Sequence, residues 1–547
     1  MSEARPEPAP RSSSSLAPLS SPAFRRVWLA ALLSNFGTWM HSVAAAWLMT
    51  SLAPAPDMVA LVQAASTGPI LILSLVAGAV ADLVDRRRVI IAAQVAMFAT
   101  SIAMTVVTWS GGMAPWILLA FTFLIGCGNA FHGPAWQASV SDLVGRASLP
   151  AAVALNSINF NIARSVGPAI GGAVVAAAGV VFAFAVNAAT YIPMILAFVL
   201  WRRPAAADGL PRERLASAMI NGVRYVAEAP GIQTVLVRAL AFGIGASAIW
   251  ALLPVVARQQ VGAGPLMFGL MLGALGIGAV LAGLILVWLR RRLDGEGIVS
   301  LGYLAIGVAS VLLGVTTWPP LVFLALILAG LSWVGCLSTF NISVQIAAPN
   351  WVKARALAIY QMTAFGGMAV GSWLWGEFAT LRTPAVALVI AGLLMLASIG
   401  LRHRYRMPAV PGASELSPAR AWPESKAVLE FDRMNVPVLA RCEYRVAVDR
   451  GDEFAASMRA VRRLRRRDGA RRWRLWHDVA DPERWVESYE VGSWFDHLRL
   501  ERRQSEADAA VIARAWSFHA GPETPRLEVL ALHDPTRIPL ADPAPSG

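Results

Sequence analysis

The sequence predicts an all-α membrane bundle of twelve helices in two groups of six, followed by a soluble α+β domain of ferredoxin-like β-α-β-β-α-β order. Three observations carry this expectation. Hydrophobic residues make up 56% of the 547 and charged residues 15%, and the mean hydropathy is +0.55; such values lie outside the range of soluble globular chains. Twelve apolar segments reach the ~20 residues that a helix needs to cross a bilayer. Near residue 428 the composition turns soluble and the hydrophobic pattern changes from continuous runs to short alternating ones.

In chain order, residues 1–21 are rich in Pro and Ser, contain no apolar core of signal-peptide length and read as a disordered cytoplasmic tail. A first six-helix bundle is expected within 22–201, with spans near 27–49, 58–81, 89–108, 115–137, 155–178 and 181–201. A polar central loop follows over 202–230. The second bundle occupies 231–405, with spans near 233–257, 266–289, 298–316, 319–345, 355–380 and 384–401. A Pro/Ser/Ala-rich linker covers 406–427 and the soluble domain 428–547.

The net charge of +13 would point to nucleic acid in a soluble protein, but the arginines cluster between apolar segments. Loops after the even-numbered spans hold Arg86, Arg87 and Arg88, then Arg146, then Arg290, Arg291 and Arg292, then Lys353 and Arg355. The central loop adds Arg202, Arg203, Arg212 and Arg214, whereas loops after odd spans have little beyond Arg258 and Arg382. Short basic loops stay inside, so both termini and the central loop are expected in the cytoplasm of a multi-pass inner-membrane protein. The expected partners are the lipid bilayer and a small-molecule substrate, with no nucleic acid. Cys127, Cys336 and Cys442 are far apart, which suggests neither a disulfide framework nor a metal site; no cofactor is expected.

Two segments have the character of moving parts. Gly78-Ala-Val-Ala-Asp82 runs into Asp85-Arg86-Arg87-Arg88 at the end of the second span. Gly78 permits close helix approach, and Asp82 can pair with arginines or a helix end at a cytoplasmic gate. The fifth span carries Arg164 and then Gly167-Pro168-Ala-Ile-Gly171-Gly172, where Pro interrupts the backbone ladder and Gly allows tight packing. A solvated loop and simple small-residue packing are the plainer alternatives. The first segment resembles the loop motif of the major facilitator superfamily, although Leu83 and Asp85 stand where that motif has a basic residue and a glycine. The second resembles the antiporter motif of its drug-efflux members. Phe24-Arg25-Arg26, Gly37-Thr38-Trp39-Met40, Pro134-Ala135-Trp136-Gln137 and Ala154-Leu155-Asn156-Ser157 are similar to the transmembrane secretion effector group, over roughly residues 22–405. The resemblance implies a twelve-helix transporter that exports a metabolite, siderophore or drug by alternating access, driven by a proton gradient. The fourth span lacks the arginine that many drug:proton antiporters carry there. A weak repeat, in which 131–137 and 167–171 are echoed by 340–345 and 367–371, fits two parallel halves with a midplane cavity.

Ionisable groups inside a span are functional candidates by default. Here they are His41, His132, Arg164, Arg238 and Glu377, accompanied by Asn129, Asn159 and Gln361. Arg164 is expected within a few residues of the cytoplasmic end of its span and Arg238 near the outer end of its own; each is either a site for anionic cargo or a membrane anchor. Glu377 lies near Arg382 and serves either an ion pair or a proton site. The histidines are either titratable or packing residues.

In the soluble domain, strands are expected over 438–448, 472–479, 485–491 and 526–532, and helices over 450–467 and 493–518. The wording around Trp473, Val486-Glu487-Ser488-Tyr489 and Ser493-Trp494-Phe495-Asp496-His497 resembles the dimeric antibiotic-biosynthesis monooxygenase domains. That resemblance implies a module for ligand sensing or homodimer formation, with Trp473, Tyr489, Trp494 and His497 around a small pocket. No arrangement in it demands catalysis, and the competing reading of the whole chain is a membrane-tethered enzyme. Arg459, Arg462, Arg463 and Arg466 share one helix face, suited to anionic lipid or simply to solvent.

Overall fold

A computed structural model describes residues 17–144, 148–201, 215–349, 352–408, 436–521 and 524–532. Most of the N-terminal tail, Arg146, Arg202, Arg203, Arg212, Arg214, nearly all of the linker and the side chain of Asp82 lie outside the described residues. The chain forms two compact units, one holding the membrane helices and the other the soluble domain with Ile220–Gln233 and Ile346–Lys353.

In the first unit, α1 (Pro22–Leu52), α2 (Pro56–Leu83), α3 (Arg86–Trp109) and α4 (Pro115–Leu143) precede α5 (Leu149–Leu200), whose two arms break at Gly179. The break has φ +81 there, a left-handed conformation that glycine adopts without a Cβ clash. It separates the fifth and sixth spans where the apolar runs predicted a turn. After α6 (Leu215–Ala227) come α7 (Pro230–Val255), α8 (Pro265–Leu289), α9 (Gly295–Val315), α10 (Pro319–Ala347), α11 (Lys353–Leu381) and α12 (Pro384–Ala397). Proline opens α1, α2, α4, α8 and α12, where its fixed φ is preorganised and its missing N–H costs nothing. Nine described helices are long and apolar enough by themselves to cross a membrane. One of these is the double-length α5, and α1 and α11 span with polar interruptions, which makes twelve.

The central segment, where the sequence predicts a polar loop, contains a helix. α6 places Tyr225 and Val226 on a buried side and leaves Val223 and Ala227 exposed, a periodicity of 3.6 that was present in the sequence.

The second unit folds as β1 (Val438–Arg445), α13 (Gly451–Asp468), β2 (Arg471–His477), β3 (Arg484–Val491), α14 (Trp494–Arg502), α15 (Glu506–Trp516) and β4 (Leu527–Ala531). The sheet order is β2-β3-β1-β4, and every pairing is antiparallel. The expected second helix is two helices. Ser505 caps α15, accepting from Asp508 N while Asp508 accepts from Ser505 N, and this reciprocal box restarts the chain in a new direction.

Candidate functional site

Arg164 stands on α5 midway between Leu149 and Gly179, fifteen residues from each (164 − 149; 179 − 164). Arg164 therefore lies halfway along this arm of the helix, farther from its start than the expected place near the cytoplasmic end. It is 6% exposed, and its Nε and Nη2 have no hydrogen-bond partner among the described residues. Its guanidinium lies 5.8 Å from the ring centre of Trp250 on α7 and 5.7 Å from that of Trp333 on α10. Trp250 and Trp333 are 5.4 Å apart, and Trp39 of α1 lies 6.1 Å from Trp250. Four helices from both halves thus converge on one arginine. Guanidinium is the cation that stacks best on aromatic faces and is weakly hydrated. Ring faces do not replace hydrogen bonds, however, so the N–H groups remain available to an anion.

A row of rings leads from this site to the second buried arginine. Trp333 lies 5.7 Å from Phe242, and Phe242 lies 5.8 Å from Tyr303. Arg238 is fully buried 4.9 Å over the Tyr303 ring and pairs at 3.1 Å with Glu296 in the first turn of α9. Glu296 also accepts from Ser300 Oγ at 3.1 Å and from Met407 N at 2.8 Å. Arg238 therefore sits at the end of the bundle shared by the 290–292 arginines and the exit from α12. The expected position at the outer end is corrected, because α7 begins at this end and Arg238 is only eight residues past Pro230 (238 − 230). Glu296 escaped the sequence reading because the span was begun two residues too late.

The other candidates disperse. Asn159 accepts from Asn35 Nδ2 at 2.9 Å and donates to Trp28 O at 2.8 Å, which sews α5 to α1. His132 Nδ1 lies 3.3 Å from Gln94 Nε2, with its ring stacked on Trp136. His41 is buried against Phe184, and neither ring nitrogen is hydrogen-bonded among the described residues. Asn129 and Gln361 are half-buried, and Glu377 is exposed with no ion pair to Arg382 among the described residues.

The two motif segments have distinct tasks. Asp85 caps α3 by accepting from Arg87 N; Arg86 pairs with Asp142 of α4 at 3.2 Å, Arg87 donates to Phe198 O and Val199 O at 2.7 Å each, and Arg88 is exposed. These bonds tie three spans of the first half together. Gly78 faces the other half, since a Cβ there would meet Ala358 Cβ of α11 at 3.7 Å. Along α5, Gly167 and Gly171 admit Trp39 and Met40 of α1, and a Cβ on Gly172 would stand 2.9 Å from Gly269 Cα of α8. Ser165 Oγ donates to Gly276 O at 3.0 Å on the same seam. Other ties between the halves lie at the end away from the arginine-rich loops. Arg258 donates to Thr50 and Ser51 at 2.8 and 2.7 Å, Gln259 donates to Pro54 O at 3.0 Å, and Thr380 Oγ1 meets Asp57 N and Oδ1 at 3.1 and 3.2 Å.

Of the four residues expected around a small pocket in the soluble domain, Tyr489 and His497 are buried and Trp473 and Trp494 are half-buried. Tyr489 is buried with its ring under Arg465 at 5.0 Å, and Trp473 Nε1 donates to Glu487 at 2.9 Å. His497 is fully buried, 5.4 Å from Trp494 and 3.2 Å from Glu501. Arg465 and Glu487, both buried, pair at 3.2 Å. Burial pushes the Cys442 thiol up to about 12 and the Asp468 carboxyl up to about 6, the latter against the opposing pull of Arg467.

A twelve-helix bundle whose halves share a glycine-lined seam and enclose a buried arginine is a membrane transporter of the major facilitator type. More narrowly, the chain belongs to the transmembrane secretion effector family, whose pattern matches residues 13–536 and so runs through the soluble domain. It is 26% identical over 405 residues to the enterobactin exporter EntS of Salmonella choleraesuis (strain SC-B67), covering 70% of this chain and 94% of that one. It is 25% identical over 384 residues to the multidrug efflux pump Tap of Mycolicibacterium fortuitum, covering 68% and 93% respectively. Among solved structures, a POT family transporter in complex with 5-aminolevulinic acid superposes with a TM-score of 0.59 at 12% identity, covering 70% of this chain and 96% of that one. A bacterial homologue of the human lysosomal transporter Spinster, inward-facing and unoccupied, gives 0.54 at 12%, covering 71% and 96%. At these identities the structural likeness shows the fold alone.

Proposed function

We propose that this transporter exports a small anionic aromatic metabolite, held by Arg164 and clasped by Trp39, Trp250 and Trp333 during alternating access. The observation that carries the reading is the buried Arg164 guanidinium over two indole rings, with Nε and Nη2 lacking a hydrogen-bond partner among the described residues. A carboxylate or phenolate would fill those donors, and a flat ring would extend the stack. Siderophore export and multidrug efflux by the relatives support cargo of this size class. The arginine-rich end is cytoplasmic in this reading, so the ties of Arg258, Gln259 and Thr380 close the outer end. Opening there requires the halves to rock about the α5–α8 seam, where glycine leaves no side chain in the way. Coupling to a proton gradient is part of the proposal; collapsing the pH gradient and membrane potential in everted vesicles should stop substrate uptake.

The test is comparative metabolomics of cells and medium from a deletion strain. An anionic aromatic compound should accumulate inside the cells and return to the medium on complementation with the wild type, but not with Arg164→Gln. Retention of a cationic or purely aliphatic compound instead would reject the assignment of cargo.

A further inference from the structure

A second concentration of positive charge lies within the soluble unit, far along the chain from Arg164. Arg224 of α6, Arg462 and Arg466 of α13, and Arg471, Arg472 and Trp473 of β2 line a cleft of about 450 Å³. Two carboxylates offset five guanidiniums: Glu228 lies 3.7 Å from Arg466, and Glu490 lies 3.2 Å from Arg472. Arg462 and Arg471 make no ion pair among the described residues; Arg462 lies 6.0 Å over the Trp473 ring. Like charges gathered in this way repel one another, and Arg224 shows it, its proton affinity being lowered by burial and then by Arg471 and Arg466.

The backbone also departs from regularity at this point. Arg472 has φ +47, the one non-glycine residue with positive φ among those described, and it sits in a register irregularity between β2 and β3. A left-handed arginine is an unfavourable choice where glycine would serve, and a bulge re-aims the side chains around it. On the other wall, Arg224 Nη1 is held by Ala470 O at 3.2 Å. Arg467 covers the Tyr225 ring at 5.4 Å, and Tyr225 Oη donates to Ala347 O at 3.2 Å. The cleft is therefore walled on one side by the segment that joins the two six-helix halves and on the other by the soluble domain.

We infer that this cleft binds a multiply charged phosphate-bearing anion, a diphosphate or a phospholipid headgroup, clamping α6 onto the soluble domain. Several arginines converging on one space, with Arg462 and Arg471 making no ion pair among the described residues, suit phosphate oxygens better than a single carboxylate. Occupancy relieves the repulsion around Arg224 and tightens the hold on the linking segment.

The experiment uses the full-length protein in nanodiscs of neutral phosphatidylcholine, titrated with inorganic pyrophosphate by calorimetry, beside nanodiscs containing phosphatidylglycerol followed by thermal unfolding. Two double variants are compared: Arg462→Gln with Arg471→Gln inside the cleft, and Arg459→Gln with Arg463→Gln on the same basic helix outside it. Pyrophosphate should bind in neutral discs, weaken about tenfold or more in the cleft variant, and be unchanged in the outer variant. Stabilisation only by phosphatidylglycerol, lost in the cleft variant alone, would identify the headgroup as the ligand. Equal loss in both variants, or no response to either probe, overturns the inference.

Discussion

Two buried arginines, one in each half of the bundle, both stack on aromatic rings and both have an Nε without a hydrogen-bond partner among the described residues, but only one is paired with a carboxylate. Arg238 has a carboxylate 3.1 Å away, and that carboxylate is completed by a serine and a backbone N–H. Arg164 has indole rings, and its Nε and Nη2 have no hydrogen-bond partner among the described residues. A paired charge in a low-dielectric interior is a finished structural unit, whereas an unpaired one is tolerated only when surroundings or a ligand compensate it. The first fixes the junction of α7, α9 and the exit from α12. The second is placed where four helices from both halves meet.

That contrast can be broken in several ways, and the largest effect belongs to the paired site. Arg238→Gln leaves Glu296 buried without its counter-charge and should cost about 3–5 kcal/mol of stability; the double change with Glu296→Gln should recover much of it, as read by thermal unfolding in detergent. Arg164→Gln should fold normally yet lose export by roughly ten- to a hundredfold, the scale of one or two charge-assisted hydrogen bonds. Trp333→Leu should weaken cargo binding by about tenfold, since a desolvated cation–π contact is worth around 1–2 kcal/mol. Last, Arg86→Gln removes a largely buried pair with Asp142 and a bond to Ala138 O and should cost about 1–2 kcal/mol of stability. Were Arg164→Gln to unfold the protein as Arg238→Gln does, the distinction between the two arginines would collapse.

The bundle was legible because lipid imposes length: twelve apolar runs and the break at Gly179 follow from what a membrane requires of a helix. The four strands and the first helix of the soluble domain were legible from alternation and turns, whereas the division of the second helix into α14 and α15 was not. The site was legible only in part. Arg164 stood out as a charge within an apolar run, but Trp39, Trp250 and Trp333 looked like any other apolar residues. Their convergence is a property of helix packing that no local pattern encodes. Glu296 was missed because a carboxylate two residues outside a hydropathy window reads as loop. The aromatic residues of the soluble domain divide: Tyr489 and His497 are buried, whereas Trp473 and Trp494 are half-buried against the core, and Trp473 also lines the arginine cleft. The helix α6 was not legible because it is short and follows a polar segment holding Arg202, Arg203, Arg212 and Arg214, which reads as loop.

The central claim is that Arg164 is an anion site rather than a packing residue. It is tested most directly by equilibrium binding of matched aromatic ligands, a carboxylic acid and its neutral amide of the same shape, to purified wild-type protein and to Arg164→Gln. The account predicts that the wild type prefers the acid and that Arg164→Gln loses the preference while keeping its affinity for the amide. An unchanged preference for the acid in Arg164→Gln, or equal binding of acid and amide to the wild type, would contradict it.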